Sequence, residues 1–235
     1  MSNKNLVLIT SALHTRFGKF SKDQRKAQLI QSIASLEAIP NTNVIVADAG
    51  EQAWEKYDLA EIVGSRGNLE VFSFSDHPVI QNLKASKSWD LVKNLGEVVI
   101  INSISSLLLE RGQIYSRIFK LSGRYWLNEN FTLQAHLEPK FVFARARSSQ
   151  FSSDVTLGVN KQRPTRLYSM PCELLPSYNE LTVKMFNLMR HGPTKGFYLD
   201  VEHLFYLLLP AQLVREVDPI GVSGFLAPTG GLVHD

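Results

Sequence analysis

A chain of 235 residues suits one large domain or two small ones with a sizeable buried core, which excludes peptides, disulfide mini-scaffolds and repeat arrays. With 44% apolar and 20% charged residues, 14 glycines and 10 prolines, the composition is that of a folded, water-soluble protein rather than a disordered or fibrous one. The net charge of +3 sets up no broad field for a polyanion, so a nucleic-acid partner is not expected.

Residues 6–10 (LVLIT) form a short, branched apolar run followed by the polar, basic stretch SALHTRFGKFSKDQRK. That is the pattern of a buried strand feeding a loop and then a helix. Leu29, Ile33 and Leu36 recur at helical spacing, and this helix ends near Pro40. Residues 43–47 (NVIVA) make a second buried strand closing on Asp48 and Gly50. The first fifty residues therefore read as a β-loop-α-β unit with parallel pairing, the building block of doubly wound α/β sheets.

Residues 69–74 (LEVFSF) supply a third strand, and residues 91–109 a long helix carrying Leu91, Leu95, Val98, Val99 and Asn102 on or near one face. Residues 118–121 (IFKL) form a fourth strand and residues 141–146 a fifth. Between Lys140 and Arg166 six basic residues face the single acid Asp154, which reads as a solvated loop or as an electropositive wall for a phosphorylated ligand. Ser177 and Glu180 have the spacing of a capping box before a helix that runs to about Arg190. A last apolar helix follows Asp200 and Glu202, and residues 221–231 form a glycine-rich tail. No repeat or linker is visible, so a single domain spanning residues 1–235 is expected.

The lone cysteine, Cys172, cannot form an internal disulfide and fits a reducing compartment. The start has no cleavable leader pattern. The apolar run at 98–109 contains Asn102 and several serines and falls short of the roughly 20 residues that span a bilayer. A cytoplasmic protein without a transmembrane segment is expected.

Several segments, in order, resemble the small GT-A type glycosyltransferases of bacteria and large DNA viruses, which transfer a sugar from a nucleotide diphosphate donor. The opening LVLITSALHTRFGKFSKDQRKAQLIQSIASL is similar to their first strand, nucleotide loop and first helix. NVIVADAG falls where their second strand carries an acid. The resemblance implies a single GT-A-like α/β domain, with a mixed, mostly parallel central sheet flanked by helices. It places Ser11, Thr15 and Arg16 beside the nucleotide, in a loop at the carboxyl end of a parallel strand, where such sheets bind ligands.

KNLGEVVIINSI resembles the stretch in which a polar residue and a glycine let the backbone approach the donor before a helix whose N-terminus favours a diphosphate, and the match here is Asn94, Gly96 and Glu97. RIFKLSGRYWLNENF falls where the family carries an Asp-x-Asp that binds a divalent metal. Ser122, Gly123 and Arg124 occupy that position instead. No metal ligands are assigned: the fork of Arg124 can meet the diphosphate directly, or Glu129, flanked by Asn128 and Asn130, can hold Mn or Mg with the late His234. Arg124 is also read as a structural ion pair beneath the site, and Tyr125 and Trp126 as stacking or core aromatics.

YLDVEHLFYLL resembles the acid-plus-helix element that supplies the base of inverting GT-A enzymes. Side chains two apart point to different sides, so one of Asp200 and Glu202 is expected to deprotonate the acceptor hydroxyl. Glu202 is favoured, with Asp200 capping the helix. The resemblance thus implies a hexosyltransferase of glycan or polysaccharide synthesis. It would take a nucleotide-diphosphate sugar, a UDP-sugar first among them, and a glycan or small-molecule acceptor.

Two alternatives are weighed. A nucleotidyltransferase that makes sugar nucleotides wants a glycine-rich basic loop after the first strand, where this chain has one glycine. A non-catalytic nucleic-acid or nucleotide-binding module would use the basic stretch 140–166 with Phe141, Phe143 and Phe151 as stacking groups. No Walker loop, GxGxxG, GxSxG, HExxH or paired CxxC is present.

Overall fold

The computed structural model describes residues 4–64, 66–112 and 115–235; Met1, Ser2, Asn3, Ser65, Gln113 and Ile114 of the expected domain lie outside the described residues. The first strand, β1 (Asn5–Ser11), leads through a ten-residue loop into α1 (Lys22–Ser35) and then β2 (Thr42–Asp48). Next come α2 (Lys56–Gly64), β3 (Leu69–Ser73), α3 (Pro78–Leu83), the long α4 (Trp89–Glu110), β4 (Arg117–Ser122) and β5 (Tyr125–Leu127). The second half contains β6 (Phe141–Ala144), β7 (Arg147–Ser148), β8 (Lys161–Gln162), β9 (Leu167–Pro171), α5 (Leu175–His191) and α6 (Val201–Leu208). It closes with β10 (Val214–Val217), β11 (Val222–Phe225) and β12 (Leu232–His234).

Seven strands form the central sheet in the order β10-β6-β9-β4-β1-β2-β3. The β1–β2, β2–β3, β1–β4 and β6–β10 pairs are parallel, and β9 runs antiparallel to both neighbours. The expected mixed, mostly parallel α/β sheet is therefore present. Strand order reverses at β1, whose neighbours are β2 and β4, and the carboxyl ends of β1 and β4 flank that switch point, where open α/β sheets form a ligand crevice.

Side-chain alternation divides the core between the two faces of the sheet. Leu6 and Leu8 of β1, with Ile45 and Ala47 of β2, pack under α4, α5 and α6. Val7 and Ile9, with Val44 and Val46, pack under Leu29 and Ile33 of α1. Because both faces are covered, these strands read as continuous apolar runs.

Helix α1 opens with a capping box at Ser21 and Gln24. The capping box expected at Ser177 is absent. Pro176 is tolerated in a first helical turn, where its missing N–H costs nothing, so α5 begins earlier, at Leu175, without a side-chain cap.

Helix α4 is the one helix among the described residues long and apolar enough to cross a membrane. Its apolar side chains Leu95, Val98, Val99, Ile101, Ile104 and Leu108 are buried in the protein. Its polar residues meet α5: Asn102 Nδ2 donates to Thr182 Oγ1 at 3.0 Å, and Ser105 Oγ to Asn179 Oδ1 at 2.7 Å.

The glycine-rich tail forms an antiparallel sheet, β12-β11-β5. Gly224 lies so close to β5 that an added Cβ would stand 2.3 Å from the Tyr125 ring and 2.5 Å from the Arg124 carbonyl. Only glycine permits this approach, and it brings the tail against the end of β4.

Candidate functional site

A cavity of about 140 Å³ opens at the switch point. Its walls are the end of β1 and its loop (Thr10, Ser11, Thr15, Phe17), Arg25 of α1, the first turns of α4, the β4–β5 turn at residues 122–124 and Ala227 of the tail.

The β1 loop is held by Asp48 at the end of β2. This carboxylate is fully buried and accepts the backbone N–H of Leu13 and of Gly50, each at 2.8 Å. Burial pushes its pKa up, while those hydrogen bonds pull it down. An added Cβ at Gly50 would stand 2.6 Å from Asp48 Oδ1, so glycine is what lets the second loop close on the acid. The acid expected at this strand end is thus a clamp between two loops.

Two guanidinium groups enter the cavity. Arg25 projects from the buried face of α1, donating from Nη2 to the Phe17 carbonyl at 2.6 Å and from Nε to the Phe20 carbonyl at 3.1 Å. Burial, with the neighbouring Arg124 adding to it, lowers its pKa to about 10, so it stays cationic at neutral pH. Burial also lowers that of Arg124, with Tyr125 and Glu97 opposing. The buried Nε of Arg124 has no partner among the described residues. Two like charges at one wall, one of them with an unmatched donor, form a place prepared for an anion.

Helix α4 lines the opposite wall with Trp89, Lys93, Gly96 and Glu97. Lys93 lies 5.7 Å from the Trp89 ring centroid. Gly96 does not precede a helix, as the resemblance implied. Ser88 caps α4, and Gly96 sits in its second turn, where the helix faces the cavity beside Ala49. Glu97 pairs with Lys120, a fully buried lysine of β4 that also donates to Ser122 Oγ and to the Thr165 carbonyl, each at 2.8 Å. Burial lowers the Lys120 pKa and Glu97 raises it.

Of the residues expected at the site, Ser11, Thr15, Gly96 and Arg124 line the cavity together. Arg16 is directed away, pairing with Glu51 at 2.8 Å and donating to the carbonyls of Leu83 and Ser86. Asn94 is buried, its amide donating to the Asp90 carbonyl and the Tyr198 hydroxyl at 2.8 Å each.

Asp200 and Glu202 stand outside the cavity lining. Asp200 caps α6, its Oδ1 accepting the His203 backbone N–H and facing His203 Nδ1 at 2.8 Å each. Its Oδ2 accepts from Gln162 Nε2 at 2.7 Å. Its pKa is lowered because these bonds, led by His203, outweigh burial. Glu202 keeps a looser environment: Oε1 accepts the Thr165 N–H at 3.2 Å. Burial raises its pKa against the pull of the nearby Lys93. Thr165 therefore links Glu202 to Lys120 and, through it, to Glu97 in the cavity.

The basic stretch does not form a free electropositive wall. Arg147 and Arg166 both bind Asp235, Arg163 binds Glu216, and Arg145 lies 3.9 Å from Asp218. Phe141 and Phe143 are buried in β6, so neither is available to stack on a base. Tyr125 is likewise buried, beneath Arg166, and Trp126 packs on Phe225.

A divalent cation does not fit this cavity. Among the described residues no three His, Cys, Asp or Glu side chains come together. Arg25, Arg124 and Lys93 supply positive charge where metal ligands would be needed. Glu129 is exposed beyond the lining residues, and His234 Nδ1 is 2.7 Å from Ser223 Oγ.

Arg25, Trp89 and Lys93 emerge from the structure, and Glu97, matched in the sequence beside Gly96, lines the cavity with them. Arg25 had a signal in the sequence: it lies four residues before Leu29 and eight before Ile33, in line with the apolar stripe of α1. A charge on that stripe must be buried.

No protein-family model matches this sequence, and no curated protein matches it. Solved structures do. Mouse xyloside xylosyltransferase 1 in its apo form superposes with a TM-score of 0.51 at 9% identity, covering 92% of this chain and 85% of that one. The galactosyltransferase LgtC in complex with donor and acceptor sugar analogues gives 0.52 at 11% identity, covering 91% and 73%. The bifunctional glycosyltransferase WbbM gives 0.52 at 8% identity over 93% of this chain and 39% of that one. At such identities the likeness is one of architecture, and it shows that this chain has the GT-A type fold of those glycosyltransferases.

Proposed function

We propose that this protein is a glycosyltransferase that moves a sugar from a nucleoside diphosphate donor to an acceptor hydroxyl. The observation that carries the reading is the pair of the buried Arg25 and the half-buried Arg124, two guanidinium groups in one cavity at the switch point of a GT-A sheet. Guanidinium forks match phosphate oxygens in shape as well as charge, and charge fixed in a buried wall is stronger than the same charge in water.

In this scheme the β1 loop with Ser11 and Thr15 borders the nucleotide. Arg25 and Arg124 hold the diphosphate, and Trp89 and Phe17 give apolar surface at the cavity wall. Glu202 takes the proton of the acceptor hydroxyl, whose oxygen attacks the anomeric carbon. The bond from that carbon to the diphosphate oxygen breaks, and the nucleoside diphosphate departs with its charge matched by the two arginines. Glu202 suits this role better than Asp200, because burial holds its pKa up and makes it the stronger base. Asp200 serves as the helix cap that orients α6. A UDP-sugar donor, a glycan acceptor and a cytoplasmic site of action belong to the same proposal.

The test is a thermal-shift panel of UDP, GDP, CMP and dTDP, each with Mn²⁺ and with EDTA. Stabilisation by one nucleoside diphosphate in EDTA is the expected result. A shift that requires Mn²⁺ would overturn the arginine account of the diphosphate, and no shift with any nucleotide would overturn the glycosyltransferase reading.

A further inference from the structure

Two acids line the cavity, and they differ in surroundings. Glu51 is bound to Arg16, and both side chains are partly exposed. Glu97 is 12% exposed and is held from behind by Lys120, which is 2% exposed. A buried ammonium has three N–H donors, and here all three are engaged, by Glu97 Oε1, Ser122 Oγ and the Thr165 carbonyl. Lys120 therefore has no N–H donor left for a ligand in the cavity. It fixes the groups that do face it.

Two hydrogen-bonding functions remain. Glu97 Oε2 is an acceptor with no protein partner among the described residues. The Ser122 oxygen accepts from Lys120, so its O–H is left to donate. Glu97 and Ser122 both line the cavity beside Arg124. A carboxylate next to a hydroxyl donor complements a sugar hydroxyl, which donates one bond and accepts another. The same carboxylate repels a phosphate or a second carboxylate. The wall is thus divided: guanidinium groups suit the diphosphate, and the Glu97–Ser122 pair suits a neutral polyol next to it.

We propose that Glu97, oriented by Lys120 and paired with Ser122, reads a hydroxyl of the donor sugar, and that the donor is a neutral hexose or N-acetylhexosamine rather than a hexuronic acid. This rests on the glycosyltransferase reading above and names its substrate class.

The experiment is calorimetric titration of wild type, Glu97→Gln and Ser122→Ala with UDP, GDP, UDP-glucose, UDP-galactose, UDP-N-acetylglucosamine, GDP-mannose and UDP-glucuronate. The quantity read is the ratio of the Kd of each nucleoside diphosphate to the Kd of its sugar conjugate. At least one neutral sugar is expected to raise this ratio about tenfold in wild type, as one charged hydrogen bond would, and glucuronate is not. Both substitutions are expected to bring the ratio near one while the nucleoside diphosphate alone binds within about twofold of wild type. Glu97→Gln removes the counter-ion of a buried lysine and can unfold the chain. Ser122→Ala keeps that ion pair and carries the test independently.

The proposal is overturned if the ratio survives in the folded variants, if no neutral sugar adds affinity, or if the glucuronate conjugate binds best. Absence of binding by any nucleoside diphosphate would instead overturn the function proposed above, and this inference with it.

Discussion

Replacing Arg124 by methionine separates a ligand-binding arginine from a structural one, because the two roles predict opposite effects on the ligand-free protein. Arg124 is half-buried near Arg25, which it repels, and its buried Nε has no partner among the described residues. An apolar side chain of similar length removes a largely desolvated charge that makes no ion pair with a carboxylate among the described residues, so unfolding in urea without ligand is expected to stay within about 1 kcal/mol of wild type or to become harder. Binding of the preferred nucleoside diphosphate should weaken, since hydrogen bonds to charged groups contribute about 1.5–3 kcal/mol. At about 1.4 kcal/mol per tenfold in Kd, that is a loss of roughly 10- to 150-fold, read by calorimetric titration. Lysine at the same position should recover part of this, because it restores charge without the planar fork. A ligand-free loss of about 3–5 kcal/mol with unchanged nucleotide affinity would refute the reasoning and make Arg124 a structural ion.

Glu202→Gln should lower kcat by about 10²- to 10⁴-fold and leave donor Kd nearly unchanged. In the wild type the acidic limb of the kcat/KM profile should lie above the ordinary carboxylate range; normal turnover in both Glu202→Gln and Asp200→Asn would exclude these acids as bases. His136 is fully buried between Phe119 and Phe131, and burial, with Arg117 and Arg215 adding to it, lowers its pKa to about 3 from 6.5. It stays neutral in the folded chain while the unfolded chain takes up a proton, so its stability contribution is full above pH 6.5 and is lost as pH falls toward 3, by about 1.4 kcal/mol per unit. Urea titrations should show that slope in wild type and a flatter one in His136→Phe. Gly224→Ala should destabilise by about 1–3 kcal/mol, as overpacking does, because its Cβ would overlap Tyr125 and the Arg124 carbonyl; an unchanged urea midpoint would show that the tail is not packed there.

The sequence by itself determined the α/β class and the parallel β1–β2 unit, because strands covered on both faces must be apolar throughout, and LVLIT and NVIVA are. The family resemblance pointed to Ser11, Thr15, Gly96 and Arg124, which line one cavity: Ser11, Thr15 and Arg124 lie at or just beyond the carboxyl ends of the adjacent parallel strands β1 and β4, where such loops converge, and Gly96 comes from α4. Tertiary structure alone decided the rest. β9 is antiparallel within an otherwise parallel sheet, and strand direction is set by where the chain returns, not by any local pattern. Lys120 meets Glu97 of α4, 23 residues earlier in the chain, and no local pattern shows that partnership: a lysine inside a strand reads as a surface charge until its neighbours are known. Asp48 and Asp200 are both single acids at element ends, and only their hydrogen bonds show one clamping two loops and the other capping a helix. The arginines between 140 and 166 were a basic run along the chain; in space each of Arg145, Arg147, Arg163 and Arg166 stands near an acid from the C-terminal twenty residues. Charge patterning in sequence records which charges are present, and folding decides which of them remain to meet a ligand.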